Sequence, residues 1–320
     1  MAVLAVAARG AQPLRVGLVL EQPLTGRSDD PFQHGAYLGL ARAVRELHVQ
    51  GKVVSPSPNA YSAVPAVSFL ARQRYDLVMG IGFLVGRDVV RTARLFPSRR
   101  FALLDARRED FPHTPRNVEG TLFATQEPSY LAGYLAAKMD DLRKGPHVVS
   151  TVAGIPIPPV QAFIAGFQAG AHRADPKIAT LNAYTYNFVN TTKCASAARA
   201  QIARGSGVIF DVAGACGLGA LEVAKTKGVW GIGVDIDQSY LGSFVLTSVV
   251  KHMDVAVYKF VQELRAGGIR TGGDTVFDLQ NGGVGLGRFS PRVPPAFRRE
   301  LVRLRKQIVA GRIVVPAALK

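Results

Sequence analysis

Cysteine is nearly absent: Cys194 and Cys216 are the only two in 320 residues. A scaffold held together by several disulfides is thereby excluded, and one bridge or two thiols remain as the alternatives. Cys194 lies near the start of an expected helix and Cys216 just past the strand that this helix leads into. In a right-handed βαβ unit those two points share one edge of the sheet. A bridge needs Cα atoms closer than about 7 Å; two buried thiols packing as small apolar residues is the other reading.

Long apolar runs are missing too. No stretch reaches the roughly 18 uninterrupted residues that a membrane span needs. The six histidines, at 34, 48, 113, 147, 172 and 252, show no zinc spacing, and no serine sits in a GxSxG elbow or beside an obvious base. Catalysis therefore has little support, and no cofactor is expected. Gly214-x-x-Gly217-x-Gly219 follows a strand, but its glycine order is not that of a dinucleotide loop. Acidic residues are scarce, 23 Asp and Glu against 39 Lys and Arg, which leaves a net charge of +16. Such an excess favours an anionic partner: nucleic acid, an anionic membrane surface or an acidic ligand. No helix-turn-helix, zinc or single-strand-binding pattern accompanies it, so it reads as solvated helix faces and no nucleic-acid partner is expected. Met1 to Ala11 is small and apolar with only Arg9 charged. It could be the remnant of a signal peptide, although it is short and lacks a basic start. No cysteine near the start could carry a lipid anchor.

What is present is a regular alternation. Val118, Thr121, Leu122 and Phe123 favour a strand, Gln126 to Ser129 a turn, and Tyr130, Leu131, Tyr134, Leu135 and Lys138 recur at helical spacing. About four strand–helix units precede this stretch and about four follow, so it marks the passage between two similar lobes. In the first lobe, Arg15 to Leu20, Lys52 to Val54, Tyr75 to Gly80 and Arg100 to Asp105 read as strands; helices are expected over 34–47, 64–73 and 85–96. In the second, 147–153, 178–186, 207–213 and 229–236 read as strands and 160–171, 192–203 and 218–226 as helices, with a terminal basic helix over 294–309. Single helices between strands imply right-handed crossovers and an α/β fold of two doubly wound lobes. The expected division is 14–124 with 246–270 as the first lobe and 125–245 with 271–320 as the second.

In open α/β sheets, ligands bind beyond the carboxyl ends of the strands. Those loops hold Asp29, Phe32, Gln33, Gly80 to Gly82, Asp105, Asn187 to Val189, Gly214, Asp235 and Asp237. Carboxylates, aromatics and glycines at facing strand ends suit a small molecule with hydroxyls and a flat ring. Each has a plain structural alternative: Phe188 as core, Asp235 as a cap or turn former, Lys251 as a solvated helix residue.

Six ordered motifs, Asp29-x-x-Phe32, Phe101-Ala-Leu-Leu-Asp105, Glu127-x-Ser-Tyr-Leu-Ala-Gly-Tyr-Leu-Ala-Ala137, Gly231-x-Gly-Val-Asp-x-Asp-Gln238, Thr247-Ser-x-x-Lys251 and Gly282-Gly-Val-Gly-Leu286, resemble the basic membrane protein family. Its members are solute-binding components of ABC transporters, purine-nucleoside receptors among them. The resemblance implies a periplasmic-binding-protein type I fold with a hinge of three inter-lobe crossings. It also implies an exported, extracytoplasmic protein that works as a monomer, meets the membrane only through its ABC permease or a missing anchor, and closes around a ligand. Carried over, Phe32 and Phe188 would stack on a purine, Asp29 would belong to the same loop, and Asp105 would accept from the base edge. Asp235, the backbone around Gly214 and Lys251 would hold the ribose. Three departures concern the first loop: Glu21-Gln-Pro23 stands where the family commonly has an Asp-Gly-Gly-like start, Gln33 where it has Asn, and Pro31 where it has a small polar residue. The longer Gln33 could reach the ligand with its amide from farther back, or it could equally mark a different ring. The other reading is a ligand-sensing regulator or a nucleoside-processing enzyme on the same two-lobed fold.

Overall fold

A computed structural model describes residues 12–23, 30–57, 60 and 62–319. The first sheet is built from β1 (Arg15–Val19), β2 (Gln50–Val54), β3 (Leu77–Ile81), β4 (Arg100–Leu104) and β5 (Val118–Phe123), with α1 (Pro31–Leu47), α2 (Val64–Arg72) and α3 (Gly86–Leu95) between them. Then follow α4 (Gln126–Asp140), β6 (Val148–Ala153), α5 (Pro158–Ala174), β7 (Ala179–Tyr184), α6 (Thr191–Ala203), β8 (Val208–Val212), α7 (Gly217–Thr226) and β9 (Trp230–Asp235). The chain ends with β10 (Val245–Lys251), α8 (Met253–Arg265), β11 (Asp274–Phe277), β12 (Val284–Leu286) and α9 (Pro295–Val309).

Strand order is β11-β5-β4-β3-β1-β2 in one sheet and β12-β10-β9-β8-β6-β7 in the other. All neighbours pair parallel except β12, which closes its edge antiparallel. Helices cover both faces, so the central strands β3 (LVMGI) and β8 (VIFDV) are buried at every position. This is why their sequences show no polar alternation. In both sheets the order reverses once, between β1 and β3 and between β6 and β8, and the loops at such a reversal frame a crevice.

The polypeptide passes between the lobes three times. It leaves β5 for α4, which packs against α5 and α9; it leaves β10 for α8, which packs on α1; and it leaves β11 for β12. The crossing segments are laced together, the backbone N–H of Ala124 donating to Phe277 at 2.8 Å and that of His252 to Gly283 at 3.0 Å. Strand membership differs from the expected division. β10 pairs with β9 in the second sheet and β11 with β5 in the first, so 246–251 lies with the second lobe and 274–277 with the first. An apolar run such as VLTSVV fixes that a strand forms, not which sheet receives it.

Helix α1 begins earlier than the expected start at residue 34. Asp30 caps it, its carboxylate accepting from the backbone N–H of Gln33, and Pro31 occupies the first helical turn, the position where its missing N–H costs nothing. The two cysteines are bridged, with Cα atoms 5.6 Å apart and a sequence separation of 22. No helix of the described residues is long and apolar enough to cross a membrane.

Candidate ligand-binding cleft

A cavity of about 280 Å³ lies between the lobes, beyond the carboxyl ends of both sets of strands. From the first lobe, Glu21 follows β1, Gly82 to Leu84 follow β3, Asp105 follows β4, and Phe32 sits in the first turn of α1. From the second, Tyr186 to Val189 follow β7, Gly214 and Ala215 follow β8, Asp235 ends β9, and Lys251 ends β10. Apolar side chains of Ile155, Ile157, Val160 and Phe163, at and before the start of α5, floor the second-lobe side. The size stands at the lower end of small-molecule sites, roughly 300–1,000 Å³.

Lys251 is 5% exposed and joins the lobes. Its Nζ donates to Asp105 Oδ2 at 2.7 Å and stands 3.9 Å from Asp235 Oδ1. The ammonium also lies 5.0 Å from the ring centroids of Phe32 and Phe163, whose faces attract a cation. A lysine this enclosed is tolerated because carboxylates and ring faces replace its water. Asp105 and Asp235 both adopt left-handed backbone, φ +68° and +65°. That conformation is uncommon outside glycine but least unfavourable for Asn and Asp, and it recurs where a structure holds a functional side chain.

Burial dominates the acid–base state of the walls. It pushes Asp235 up to about 7 against the opposing pull of Lys251, with Asp105 and Asp30 adding to the rise. Asp105 is raised by the same burial and pulled back by Lys251. Glu21 is pushed up to about 8, chiefly by burial, while the Leu84 N–H counteracts and Asp30 and Asp105 reinforce. A carboxyl whose folded value lies above its unfolded one stabilises the fold most below the unfolded value and loses that contribution as pH rises through the folded one. For Asp235 the window runs from about 4 to about 7. Asp235→Asn is therefore expected to gain stability relative to the parent as pH climbs from 4.5 to 8 in urea unfolding. A difference that stays constant with pH would remove this account of Asp235.

The second-lobe aromatic is firmly seated. Phe188 packs over Gly154, where a Cβ would fall 2.1 Å from its ring. Its carbonyl accepts from the N–H of Cys216 at 2.9 Å, and Asn187 Oδ1 accepts from the N–H groups of Val189 and Asn190. The Cys194–Cys216 bridge thus ties the Phe188 loop to the turn carrying Gly214.

The sequence profile described as ABC transporter substrate-binding protein PnrA-like, Bmp, matches residues 19–318. The chain belongs to this family. It is 28% identical over 313 residues to the ABC transporter nucleoside-binding protein BmpA of Lactococcus lactis, covering 91% of this chain and 86% of that one. It is 29% identical over 313 residues to basic membrane protein A of Borreliella burgdorferi, covering 96% and 89%. Among solved structures, an ABC transporter solute-binding protein from Aeropyrum pernix superposes with a TM-score of 0.82 at 25% identity, over 95% of this chain and 94% of its own. A solute-binding protein from Agrobacterium vitis bound to α-D-tagatopyranose superposes at 0.66 with 16% identity, over 89% and 98%, a likeness of fold. The Bmp family comprises substrate-binding proteins of ABC transporters, and membership implies a small-molecule ligand and an ABC permease as partner.

For a Bmp protein the expected site residues divide into three groups. Phe32, Asp105, Phe188, Gly214, Asp235 and Lys251 line the one cavity, Phe32 and Phe188 from opposite lobes. Asp29 lies outside the described residues. Gln33 is fully buried and does not line the cavity. Because α1 begins at Pro31, the side chain of Gln33 turns back, its Oε1 accepting from the N–H groups of Glu21 at 2.7 Å and Gln22 at 3.3 Å; the expected amide contact with the ligand is thereby corrected to a brace for the loop after β1. Asp30, part of the expected first loop, and Glu21, noted only as a family departure, line the cavity as well, as do Leu84, Tyr186 and Phe163, which had not been singled out. For Glu21 the signal was its place directly after a strand; for Phe163, an apolar position on a helix, there was none.

Proposed function

We propose that this chain is an extracytoplasmic solute-binding protein whose ligand is a purine nucleoside, handed to its ABC permease on opening of the hinge. The observation that carries the reading is the pairing, in one cavity, of Phe32 and Phe188 from opposite lobes with the Asp105–Lys251–Asp235 cluster. Offset stacking on a flat ring adds roughly a kcal/mol per face beyond area burial. Asp105 accepts from the base edge; Asp235, Lys251 and the backbone at Gly214 hold the ribose, where a carboxylate can accept from two vicinal hydroxyls. A relative carrying the name nucleoside-binding protein supports the ligand class. The disulfide supports export, since such bonds persist in oxidising compartments. The protein acts as a monomer and leaves the nucleoside chemically unchanged.

A thermal-shift series of nucleosides, bases, sugars and amino acids tests this. A purine nucleoside is expected to raise the melting temperature, in keeping with about 2.7 kcal/mol at a hundredfold excess over Kd, and to be recovered intact. Asp235→Ala should weaken nucleoside binding more than free-base binding. If a sugar or an amino acid shifts the melt and no nucleoside does, the ligand assignment fails. Equal losses for nucleoside and base would remove the ribose role of Asp235.

A further inference from the structure

Five ionisable groups at the heart of the cavity wall are Glu21, Asp30, Asp105, Asp235 and Lys251. Four are occupied with one another or with the fold. Lys251 serves Asp105 and Asp235; Asp30 caps α1 with Oδ1 and accepts on Oδ2 from the side-chain amides of Gln22 and Gln33. Glu21 differs. Its Oε1 accepts from the N–H of Leu84 at 3.1 Å, and among the described residues nothing donates to its Oε2.

The placement of this carboxyl is specified from three sides. Gln33 holds the Glu21 backbone from behind at 2.7 Å. The Leu84 N–H fixes one oxygen. Gly82, at φ +96°, leaves the space the carboxyl fills, since a Cβ there would stand 2.1 Å from Oε1. Strand order sets Glu21, Gly82 and Asp105 side by side after β1, β3 and β4, on the wall opposite Asp235. A carboxyl group facing the cavity offers acceptor capacity on both oxygens, and a ligand that closes over it must supply donors or leave an acceptor stripped of water.

The geometry points to Glu21 as the residue that reads the ring edge of the ligand, selecting a purine with two adjacent N–H donors, as the N1–H and 2-amino group of guanine provide, over hypoxanthine, which lacks the amino group. This inference rests on the nucleoside reading above and narrows it. Two N–H groups side by side meet the two oxygens of one carboxylate, the bidentate arrangement that such groups favour; donors that reach the ionised form pull down a carboxyl that burial pushes up to about 8, so Glu21 gives up its proton as the base enters. Inosine supplies one donor to that edge and leaves the other oxygen bare.

Guanosine and inosine differ only by the 2-amino group, so titration calorimetry with the pair is the test. Guanosine is expected to bind about tenfold to a hundredfold tighter, the range of one hydrogen bond to a charged group. Glu21→Gln, which exchanges one acceptor for a donor at unchanged size, should bring the ratio to one or below. 1-Methylguanosine, which keeps the amino group and loses N1–H, should fall to the level of inosine on the unmodified protein, so the test does not depend on the variant folding. Equal affinity for guanosine and inosine, undiminished binding of 1-methylguanosine, or an unchanged ratio in folded Glu21→Gln each overturns the inference while leaving a nucleoside site in place. Absence of binding by every nucleoside overturns the functional reading itself, and this inference with it.

Discussion

Lys251→Met is expected to abolish ligand binding and to destabilise the unliganded protein by about 3–5 kcal/mol at pH 8, the cost of removing one partner from a buried ion pair. Methionine matches the length of lysine, so the lost free energy is electrostatic rather than steric. It arises because Asp105 and Asp235, 2.7 Å and 3.9 Å from the ammonium, would face each other across the cleft with no lysine between them. Both carboxyls already stand above their ordinary range through burial, and removing the lysine removes the influence that holds them down. Their cost is therefore present above their folded values and disappears as pH falls toward the unfolded value near 4. Urea unfolding of the parent and Lys251→Met at pH 8 and pH 5 should show the difference shrinking on acidification. A deficit of equal size at both values, or none at pH 8, would mean that Lys251 does not neutralise the pair.

Removing the disulfide should have the next largest effect. The bridge closes 22 residues of chain, for which loop-closure entropy gives roughly 3 kcal/mol of stabilisation. Alkylation of the denatured protein without reductant should add nothing to the intact mass, and two adducts after reduction. Cys194→Ala with Cys216→Ala should lower the urea midpoint by an amount matching that loss. Ligand affinity should fall as well, because Cys216 N–H holds the Phe188 carbonyl at 2.9 Å and the bridge fixes Cys216. A midpoint that does not move would show that the unfolded chain is constrained some other way; an unchanged affinity would show that Asn187 and Gly154 suffice to hold Phe188.

The two-lobed architecture was legible because a strand buried on both faces cannot alternate. Leu77–Ile81 and Val208–Val212 announce themselves as apolar runs with helices between. Phe32, Asp105, Phe188, Gly214 and Asp235, which line one cavity, were placed there by one rule, that ligand sites gather beyond strand ends; Lys251 came only from the family resemblance. Gln33 failed for a local reason: the pairing of Asp30 with Pro31 moves the helix start upstream and turns the side chain inward. Glu21 obeyed the strand-end rule but read as a departure from a family pattern rather than as a wall of the site. Phe163 and Val160 carry no mark, since an apolar side chain facing a cavity and one facing a core have the same sequence. The state of the cysteines depends on a Cα separation of 5.6 Å, a distance that spacing along the chain does not contain. The sheet that β10 joins was likewise unreadable, because three crossings allow a strand near the hinge to join either lobe.

The exterior and the cleft differ in their ionisable groups. The chain as a whole bears +16, yet the cavity wall assembles Glu21, Asp30, Asp105 and Asp235 around a single lysine already claimed by two of them. A basic surface concentrates anions, nucleotides included, in its vicinity. Within the cleft a 5′-phosphate would have to surrender its hydration among carboxyl groups, and among the described lining residues the one cation, Lys251, is already engaged by Asp105 and Asp235; a charged group that finds no partner discriminates as effectively as attraction. On the nucleoside reading proposed above, the cleft is consequently a counter-selecting filter: the basic exterior gathers phosphorylated metabolites, while the site favours their uncharged, dephosphorylated counterparts.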